Sequence, residues 1–543
     1  MSSLHLTKSV IGKPCTGPVL LIIMDGMGIG EPFEGNAVHM ANTPTLDHLI
    51  TTPIYTQLKA HGTAVGMPSD DDMGNSEVGH NALGAGRIFD QGATLVQNAI
   101  ASGQLFQDQP WKDVITNTNN HASTLHFIGL LSDGNVHSHI NHLLKMLQKA
   151  AENGVQKARV HILLDGRDVY EKSAPDYIAT LEATLTTLKN TYHVDYQIAS
   201  GGGRMITTMD RYNADWDIVK RGWDAHVLGE GRPFHSATEA ISTYYQEDPK
   251  RNDQYLPPFV IVDDKGPIGQ IQDNDSVIFC NFRGDRAIEI TQAFEVKDFT
   301  KFDRKRHPKV HFAGMMQYDG DLKLPNHFLV QPPHISHPIS DYLCAMGIRS
   351  FAISETQKYG HVTYFWNGNN SGYINQSLET YVEIPSDRIP FEQKPEMKAY
   401  ESTQKTIELL KSGQFDFGRI NIANPDMVGH TGVMDAAVKS VEVTDDCVTQ
   451  LLQTIEELNG CAIILADHGN ADIMFEIKNG QKIPKTSHTL NPVPCAIIGK
   501  DLDKKFKLTP LTTPGLTNIA ATLCTLLGYE KPTDYDPSLL TQL

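Results

Sequence analysis

The sequence lacks an excess of positive charge, a long hydrophobic run and a cysteine framework. Its 46 lysines and arginines face 64 aspartates and glutamates, a formal net charge of -18. We therefore expect neither nucleic acid nor an anionic membrane as a partner. Residues 1–18 have no apolar core typical of a signal peptide, and the run Val19–Met24 is too short to span a bilayer. The seven cysteines form no C-x-x-C pair, which indicates reduced thiols in a cytoplasmic protein.

What the chain does contain is a repeated order of apolar run, polar turn and helical stretch. Its 543 residues are enough for two or three domains, and 40% hydrophobic with 20% charged residues is ordinary for a globular protein. The runs are Val19–Met24, Leu125–Leu131, Val160–Leu164, Val277–Phe279, Arg419–Ala423 and Ala462–Ala466. Continuous apolar runs that alternate with helices predict buried parallel strands in α/β layers. The polar turns then lie at the carboxyl ends of the strands, where such sheets bind ligands.

The polar turns are of two kinds, and their distribution predicts the domains. Turns rich in Asp and His lie near both ends of the chain, whereas turns rich in Arg lie in the middle. This separation predicts a discontinuous metal-binding domain, residues 1–90 and 333–543, with a second α/β domain, residues 91–332, inserted in it. The glycine-rich stretch Gly84–Gly86 and the pair Pro332–Pro333 are the candidate crossings.

The Asp/His turns offer three carboxylates and three imidazoles that a metal site could use. The candidate ligands are Asp25, Asp426, His430, Asp467, His468 and His488. Mixed oxygen and nitrogen ligation suits Mn²⁺, Zn²⁺ or Co²⁺, and six ligands exceed one tetrahedral site, so two metals are expected. Each residue alone could equally be a helix cap or a structural histidine.

Ser76 is the candidate nucleophile. It follows Gly74 and Asn75 and precedes a helical stretch, so its hydroxyl is expected at a helix N-terminus, which favours a phosphate. A metal ion would activate a hydroxyl that is otherwise a weak nucleophile. The alternative is that Ser76 only caps the helix.

The middle of the chain supplies candidate ligands for an anion. These are His137, Arg167, Asp168, Arg204, Arg211, Arg283 and Arg286. Arginine binds carboxylate and phosphate bidentately, and five such residues fit a small molecule that carries both groups. Solvated surface arginines are the alternative. His137 and His139 could also form a metal-binding H-x-H pair, which we rank below substrate contact by His137.

These motifs, in this order, resemble those of the cofactor-independent phosphoglycerate mutases of the alkaline phosphatase superfamily. The motifs are D-G-M-G, M-G-N-S-E-V-G-H, S-D-G-N-V-H-S-H, D-G-R-D, N-F-R-G-D-R, N-P-D-M-V-G-H-T-G, A-D-H-G-N and T-S-H-T. The resemblance extends from about Val19 to the C-terminus. The first motif usually reads D-G-W-G, and here Met27 replaces the tryptophan. The spacing from Arg204 to Arg211 is one residue longer than expected.

The resemblance implies a site with two metals, a phosphoserine and a substrate domain. One metal, usually manganese, would be held by Asp426, His430 and His488, and the second by Asp25, Ser76, Asp467 and His468. Magnesium, cobalt or zinc are alternatives. The substrate would be bound by His137, Arg167, Asp168, Arg204, Arg211, Arg283 and Arg286. Lys358, in S-E-T-Q-K-Y-G-H, resembles a lysine that contacts the phosphoryl group; nothing else in the sequence distinguishes it.

The implied reaction interconverts 3- and 2-phosphoglycerate through a phosphoserine on Ser76, without bisphosphoglycerate. Asp168 would orient or deprotonate a glycerate hydroxyl, and the two domains would close to exclude water. We expect a monomer with a small-molecule substrate. A metal-dependent phosphatase or phosphodiesterase would share the Asp/His residues, but the long arginine-rich insertion argues against it. A phosphopentomutase usually has a threonine nucleophile and a smaller insertion. A non-catalytic binding protein is the third alternative.

Overall fold

The chain forms two compact α/β units, each built around its own sheet. The computed structural model describes residues 4–211, 214–319, 322–333, 335–478 and 480–543. Unit 1 comprises Met1–Gln91 and His334–Leu543, and unit 2 comprises Gly92–Pro333. The predicted boundaries differ from this division by one residue. Two α/β units, one inserted in the other, confirm the predicted fold class.

The N-terminal part of unit 1 contributes two strands and three helices. They are β1 (Val19–Met24), α1 (Ala37–Met40), α2 (Pro44–Leu49), β2 (Tyr55–Leu58) and α3 (Ser76–Ala85). Helix α3 ends because Gly86 adopts a left-handed conformation (φ 67°), which favours glycine. The stretch Gly84–Gly86 is thus a helix terminus, and the division between the units falls a few residues later.

Unit 2 alternates strands and helices through most of its length. Its elements are α4 (Gly92–Ala101), α5 (Gln109–His121), β3 (Leu125–Leu130), α6 (Ile140–Glu152), β4 (Lys157–Leu164), α7 (Ala174–Tyr192), β5 (Asp195–Gly203), α8 (Trp216–Trp223), β6 (Arg232–Phe234), α9 (Ala237–Glu247), β7 (Phe259–Asp263), β8 (Gly266–Pro267), β9 (Ser276–Phe279), α10 (Ile288–Glu295) and β10 (His311–Gly314).

The C-terminal part of unit 1 contains the remaining elements. They are α11 (Ile339–Ala345), β11 (Ser350–Glu355), α12 (Thr356–Gly360), β12 (Glu379–Ile384), α13 (Ala399–Lys411), β13 (Phe417–Ile422), α14 (Asn424–Gly429), α15 (Met434–Glu457), β14 (Cys461–Leu465), β15 (Phe475–Lys478), β16 (Gln481–Pro484), β17 (Val493–Gly499), β18 (Phe506–Leu508), α16 (Asn518–Leu527) and β19 (Leu540–Gln542).

The sheet of unit 1 has the strand order β12-β11-β13-β1-β14-β17-β2. Strands β12 to β14 along this order are parallel, whereas β17 and β2 are antiparallel to their neighbours. Every residue of β1 is buried, as expected for a strand with neighbours on both sides and helices on both faces. The parallel order brings the turns after β11, β13, β1 and β14 to one edge of the sheet.

The sheet of unit 2 repeats this design. Its order is β10-β9-β3-β4-β5-β7-β6, with β8 paired to β7. Strands β10 to β5 along this order are parallel, and β7 is antiparallel to β5. The turns after β3, β4, β5 and β9, which carry the predicted anion ligands, therefore lie at one edge. Among the described residues, no helix combines the length and apolar character needed to cross a bilayer.

Candidate functional site

The candidate ligands of unit 1 follow adjacent parallel strands. Asp25 follows β1, and Asp467 and His468 follow β14. Asp426 lies in α14, the short helix after β13, and His430 directly follows that helix. His488 precedes β17, whose antiparallel direction brings its start to the same edge. All six side chains are buried. The structure thus brings the six predicted ligands of unit 1 to one sheet edge.

Two imidazoles of this site turn their Nε2 atoms toward one another. The Nδ1 atom of His430 lies 2.5 Å from the Thr486 carbonyl oxygen, and that of His488 lies 2.8 Å from the Gly74 carbonyl oxygen. A carbonyl only accepts, so both Nδ1 atoms carry the proton. The two Nε2 atoms, 3.0 Å apart, are each 3.2 Å from Asp426 Oδ1. Asp426 Oδ1 and the two Nε2 atoms therefore converge as a set of potential ligands that fits a cation.

The second set of acceptors surrounds the Ser76 hydroxyl. Ser76 Oγ lies 3.2 Å from Asp25 Oδ1 and 2.9 Å from His468 Nε2. Oxygen and nitrogen atoms of Asp25, Asp467 and His468 lie within 4.8 Å of one another, as do those of Asp426, His468 and His488. Burial lowers the pKa of His468, but the carboxylates of Asp467, Asp25 and Asp426 outweigh it and raise the pKa to about 9. The raised pKa reflects the negative charge of three converging carboxylates, which divalent cations would offset.

Lys358, on α12, places an ammonium among these acceptors. Its Nζ lies 2.8 Å from Asp25 Oδ1, 2.7 Å from Asp426 Oδ2 and 2.5 Å from Ser76 Oγ. Burial lowers the pKa of Lys358, but the carboxylates of Asp25 and Asp426 raise it above its ordinary value. Burial likewise raises the pKa of Asp426, yet Lys358 and His430 hold it well below its usual range. Lys358 is thus a charged hydrogen-bond donor to the candidate nucleophile.

Three further residues hold the acceptors in place and were not predicted from the sequence. His80, one turn after Ser76 on α3, lies 3.3 Å from Asp467 Oδ2. Asn421 on β13 donates to Asp25 Oδ2 at 2.6 Å, and Asn470 donates to Asp426 Oδ1 at 3.0 Å. His80 and Asn470 are part of the motifs M-G-N-S-E-V-G-H and A-D-H-G-N, which is the signal that could have identified them.

The predicted anion ligands of unit 2 form a separate, buried cluster. Arg204, just after β5, is 1% exposed. It donates to Asp165 at 2.8 Å and also to Asp168. Asp165 accepts from the backbone nitrogens of Arg167 and Asp168, which shapes the turn after β4. Asp165, the first residue of D-G-R-D, was not predicted as a site residue.

A single carboxylate, Asp285, lies among the other arginines. Its oxygens are 3.1 Å from Arg283 Nε, 3.6 Å from Arg211 and 3.7 Å from His137 Nδ1. Burial raises the pKa of Asp285, but the guanidinium groups of Arg283 and Arg211 outweigh it and lower the pKa. Asp285 stands between Arg283 and Arg286 in N-F-R-G-D-R, and the sequence analysis did not single it out.

Arg286 and His137 complete the cluster. Arg286 donates to the Met209 carbonyl oxygen at 2.6 Å. Burial and the nearby guanidinium groups, led by Arg211, lower the pKa of Arg286 well below its ordinary value. Burial and the arginines, led by Arg204, lower the pKa of His137 in the same way, so His137 is neutral. A neutral imidazole amid guanidinium groups suits a contact with an anion.

The alternative metal pair of His137 and His139 is not favoured by this geometry. His139 is the N-cap of α6, and its Nδ1 accepts from the Asn141 backbone nitrogen at 3.1 Å. A nitrogen lone pair used in a helix cap is not directed at a metal. His139 therefore stabilises a helix, while His137 lies in the arginine cluster.

Comparison with known families defines the class to which this fold and site belong. The model of the family described as the metalloenzyme superfamily matches residues 17–531. That match includes both units and every candidate ligand. The protein is an α/β metalloenzyme.

Individual relatives narrow this class. A Leptospira interrogans protein named probable 2,3-bisphosphoglycerate-independent phosphoglycerate mutase is 55% identical over 533 residues, 96% of this chain and 97% of its own. The Trypanosoma brucei brucei mutase of that name is 50% identical over 534 residues, 96% and 97% of the two chains. A structure of Leishmania mexicana phosphoglycerate mutase at low cobalt concentration superposes with a TM-score of 0.96 at 50% identity, covering 99% and 100%. The chain belongs to the 2,3-bisphosphoglycerate-independent phosphoglycerate mutase family, as the motifs predicted.

Proposed function

We propose that the protein is an isomerase that interconverts 3-phosphoglycerate and 2-phosphoglycerate through a phosphoserine on Ser76, without bisphosphoglycerate. The observation that carries this proposal is the buried Ser76 hydroxyl, which lies within 3.2 Å of Asp25, His468 and Lys358. The names of relatives at 50–55% identity support the same reaction. Together they favour phosphoryl transfer to and from one serine in glycolysis.

In this proposal two divalent cations occupy the Asp/His site. Asp426, His430 and His488 would hold one, while Asp25, Ser76, Asp467 and His468 would hold the other. When bound, the cations favour the alkoxide form of a hydroxyl and neutralise charge on phosphoryl oxygens. Mixed nitrogen and oxygen ligation suits manganese, zinc or cobalt; the resemblance to the mutase family favours manganese, with magnesium, cobalt and zinc as alternatives. Elemental analysis of the purified protein distinguishes these ions.

The groups around Ser76 suit both halves of the proposed transfer. In the first half, Ser76 Oγ attacks phosphorus and gives up its proton to a buried acceptor beside it. The bond from phosphorus to the C3 oxygen breaks, and that oxygen takes up a proton. In the second half, the C2 hydroxyl of the retained glycerate gives its proton to Asp168 and attacks phosphorus, while the bond from phosphorus to Ser76 Oγ breaks and Oγ takes back a proton. Lys358 stabilises negative charge on the phosphoryl group as it moves, and the N-terminus of α3 adds a favourable dipole.

The arginine cluster of unit 2 is the proposed binding site for the rest of the substrate. Guanidinium groups bind a carboxylate bidentately, and Asp168 would accept a hydrogen bond from a glycerate hydroxyl. Retention of the glycerate is essential, because the phosphoryl group must return to the same molecule at a different oxygen. We further propose that the enzyme is monomeric and cytoplasmic; light scattering measures the first, and fractionation measures the second.

The test of this function is Ser76→Ala in an enolase-coupled assay without bisphosphoglycerate. Loss of the nucleophile should reduce mutase activity by about 10⁴-fold or more, while bound metal remains. Ser69→Ala removes an exposed hydroxyl of the same unit and serves as the control. Substantial activity in Ser76→Ala contradicts the covalent route. Wild-type protein that releases inorganic phosphate without forming 2-phosphoglycerate is a phosphatase instead.

A further inference from the structure

A row of buried polar side chains crosses unit 2 behind the arginine cluster. Neighbouring strands β3, β4 and β5 contribute His126, His161 and Ser200. His226 follows in the helical turn Asp224–Leu228, and Thr208 lies in the turn that leads to Arg211. These five side chains are at most 1% exposed. Nothing in the proposed reaction uses them.

The side chains of this row form one continuous chain of hydrogen bonds. The successive distances are 3.1 Å (Asp275 to His126), 2.9 Å (His126 to His161), 2.7 Å (His161 to Ser200), 2.7 Å (Ser200 to His226) and 2.9 Å (His226 to Thr208). Asp275 also accepts from the backbone nitrogens of Thr124 and Gln272. We name this row the histidine chain.

The chemistry of the ends fixes the direction of every bond. An ionised carboxylate only accepts, so His126 donates from Nε2. Burial lowers the pKa of each of the three histidines, which are therefore neutral, with one N–H each. His126 Nδ1 must then accept from His161, whose own Nδ1 accepts the Ser200 proton. Ser200 in turn accepts from His226 Nδ1, and this leaves His226 Nε2 to accept the proton of Thr208.

Thr208, the last member of the histidine chain, has a strained backbone. Its φ is 71°, which is rare for a β-branched residue and costs on the order of 1–3 kcal/mol. Strain of this kind persists only where the surroundings impose it. The hydrogen bond of the Thr208 hydroxyl to His226 and that of its backbone nitrogen to Ile218, at 2.8 Å, provide this constraint.

The strained residue directly precedes the arginine cluster. The carbonyl of the next residue, Met209, accepts the 2.6 Å hydrogen bond from Arg286. Arg211 follows two residues later and contacts Asp285. A change in the backbone conformation of Thr208 would therefore move both the Met209 carbonyl, which accepts the hydrogen bond of Arg286, and the backbone of Arg211.

We propose that Thr208 and His226 are positioning residues for substrate binding: the histidine chain holds Thr208 in its left-handed conformation, and this conformation sets Arg286 and Arg211 for the anion. This inference rests on the proposed function. Apolar side chains of similar volume would fill the same space without the desolvation of six polar groups. The histidine chain, however, has hydrogen bonds of fixed direction, and these also specify the orientation of the Thr208 hydroxyl at its end.

Kinetics of Thr208→Val test the proposal. Valine keeps the shape but leaves His226 Nε2 without its donor. We expect KM for 3-phosphoglycerate to rise roughly tenfold, as for the loss of one buried hydrogen bond. We expect kcat to change less, because Ser76 and the candidate metal ligands belong to unit 1. Thr208→Ser, which keeps the hydroxyl, should restore KM.

Thr207→Val is the matched control. Thr207 is also fully buried, and its hydroxyl has no hydrogen-bond partner among the described residues. It should leave KM close to the wild-type value. An unchanged KM in Thr208→Val, or failure of Thr208→Ser to restore it, overturns the proposal.

Tautomers give a second test that needs neither activity nor a variant that folds. Nitrogen-15 spectra of wild-type protein should show His126 and His161 protonated at Nε2 and His226 protonated at Nδ1. A His226 protonated at Nε2 overturns the proposal. If wild-type protein lacks mutase activity, the proposed function fails, while calorimetric titration of 3-phosphoglycerate into Thr208→Val and wild-type protein still tests the role in binding.

Discussion

The two clusters of polar residues, one in each unit, carry opposite charge but share one arrangement, since both lie in the turns that follow parallel strands. In unit 1, three carboxylates and three imidazoles converge, and the ammonium of Lys358 lies among them. In unit 2, guanidinium groups converge, and the carboxylate of Asp285 lies among them. Both clusters are buried at the carboxyl edge of a parallel sheet. Each therefore contains at least one charge of the sign that its proposed ligand would supply.

This difference explains how like charges can be held together in the absence of a ligand. Converging like charges in a buried site would separate or lose their charge without a counter-ion. Lys358 reduces the repulsion among the carboxylates of unit 1, and Asp285 reduces that among the guanidinium groups of unit 2. Each cluster nevertheless keeps an excess of its own charge, which a ligand of opposite charge can neutralise. In unit 1 the excess favours cations, and in unit 2 it favours an anion.

The largest effect should come from breaking the acceptor set of unit 1. Asp426→Asn removes a charge that faces His430, His488 and Lys358. We expect bound metal to fall and mutase activity to drop by more than about 10²-fold, beyond the loss typical of an outer-shell residue. Elemental analysis and the enolase-coupled assay measure the two quantities. Asp71→Asn, at an exposed carboxylate of the same unit, is the control. Full metal content in Asp426→Asn would contradict the assignment.

Removing the carboxylate of Asp285 from unit 2 should destabilise the protein rather than abolish its chemistry. Asp285→Asn removes the carboxylate charge that faces the buried Arg283 and Arg211, a change that costs about 3–5 kcal/mol of the free energy of unfolding. Urea denaturation measures this loss, and added 3-phosphoglycerate should restore more stability to the variant than to wild type. Because the pKa of Asp285 is lower in the folded protein, its contribution is present above about pH 4 and decreases on acidification.

The matched control for Asp285→Asn is Glu247→Gln. It removes one partner of the exposed pair with Arg232, and exposed pairs contribute little to stability. Equal losses in the two variants would show that Asp285 has no special role as a counter-ion.

The smallest effect is expected for variants of His139, which test whether the pair of His137 and His139 in unit 2 binds metal. His139→Ala removes the N-cap of α6 and should lower the free energy of unfolding by about 1 kcal/mol. His139→Asn, which keeps a capping acceptor, should restore most of it. Metal content should be the same in both variants and in wild type. A loss of metal in either variant would instead support the H-x-H pair.

The sequence predicted those parts of the molecule that follow directly from an apolar run. The stretch Val19–Met24 had to be a buried strand, and its parallel neighbours had to place their following turns at the same edge. Asp25 and Asp467 could be predicted as neighbours for this reason.

Other parts depended on packing that no local pattern reveals. Lys358 resembles any exposed lysine in sequence, and only the resemblance to a family indicated it; its burial results from the way α12 packs at the end of β11. Asp285 was overlooked because two arginines beside it carried the argument. The histidine chain cannot be recognised in the sequence, because its members come from strands and turns that are far apart in the sequence and meet only in the folded unit.

The position of β1 has a consequence for the synthesis of the chain. Among the described residues this strand pairs with β13 and β14, and Phe417 follows Met24 by 393 positions. At roughly 5–20 residues per second, a ribosome needs about 20–80 s to cover that distance. During this interval the six consecutive apolar residues of β1 have no strand to pair with. The nascent protein is therefore most exposed to aggregation, and most dependent on chaperones, long after its first strand has left the ribosome.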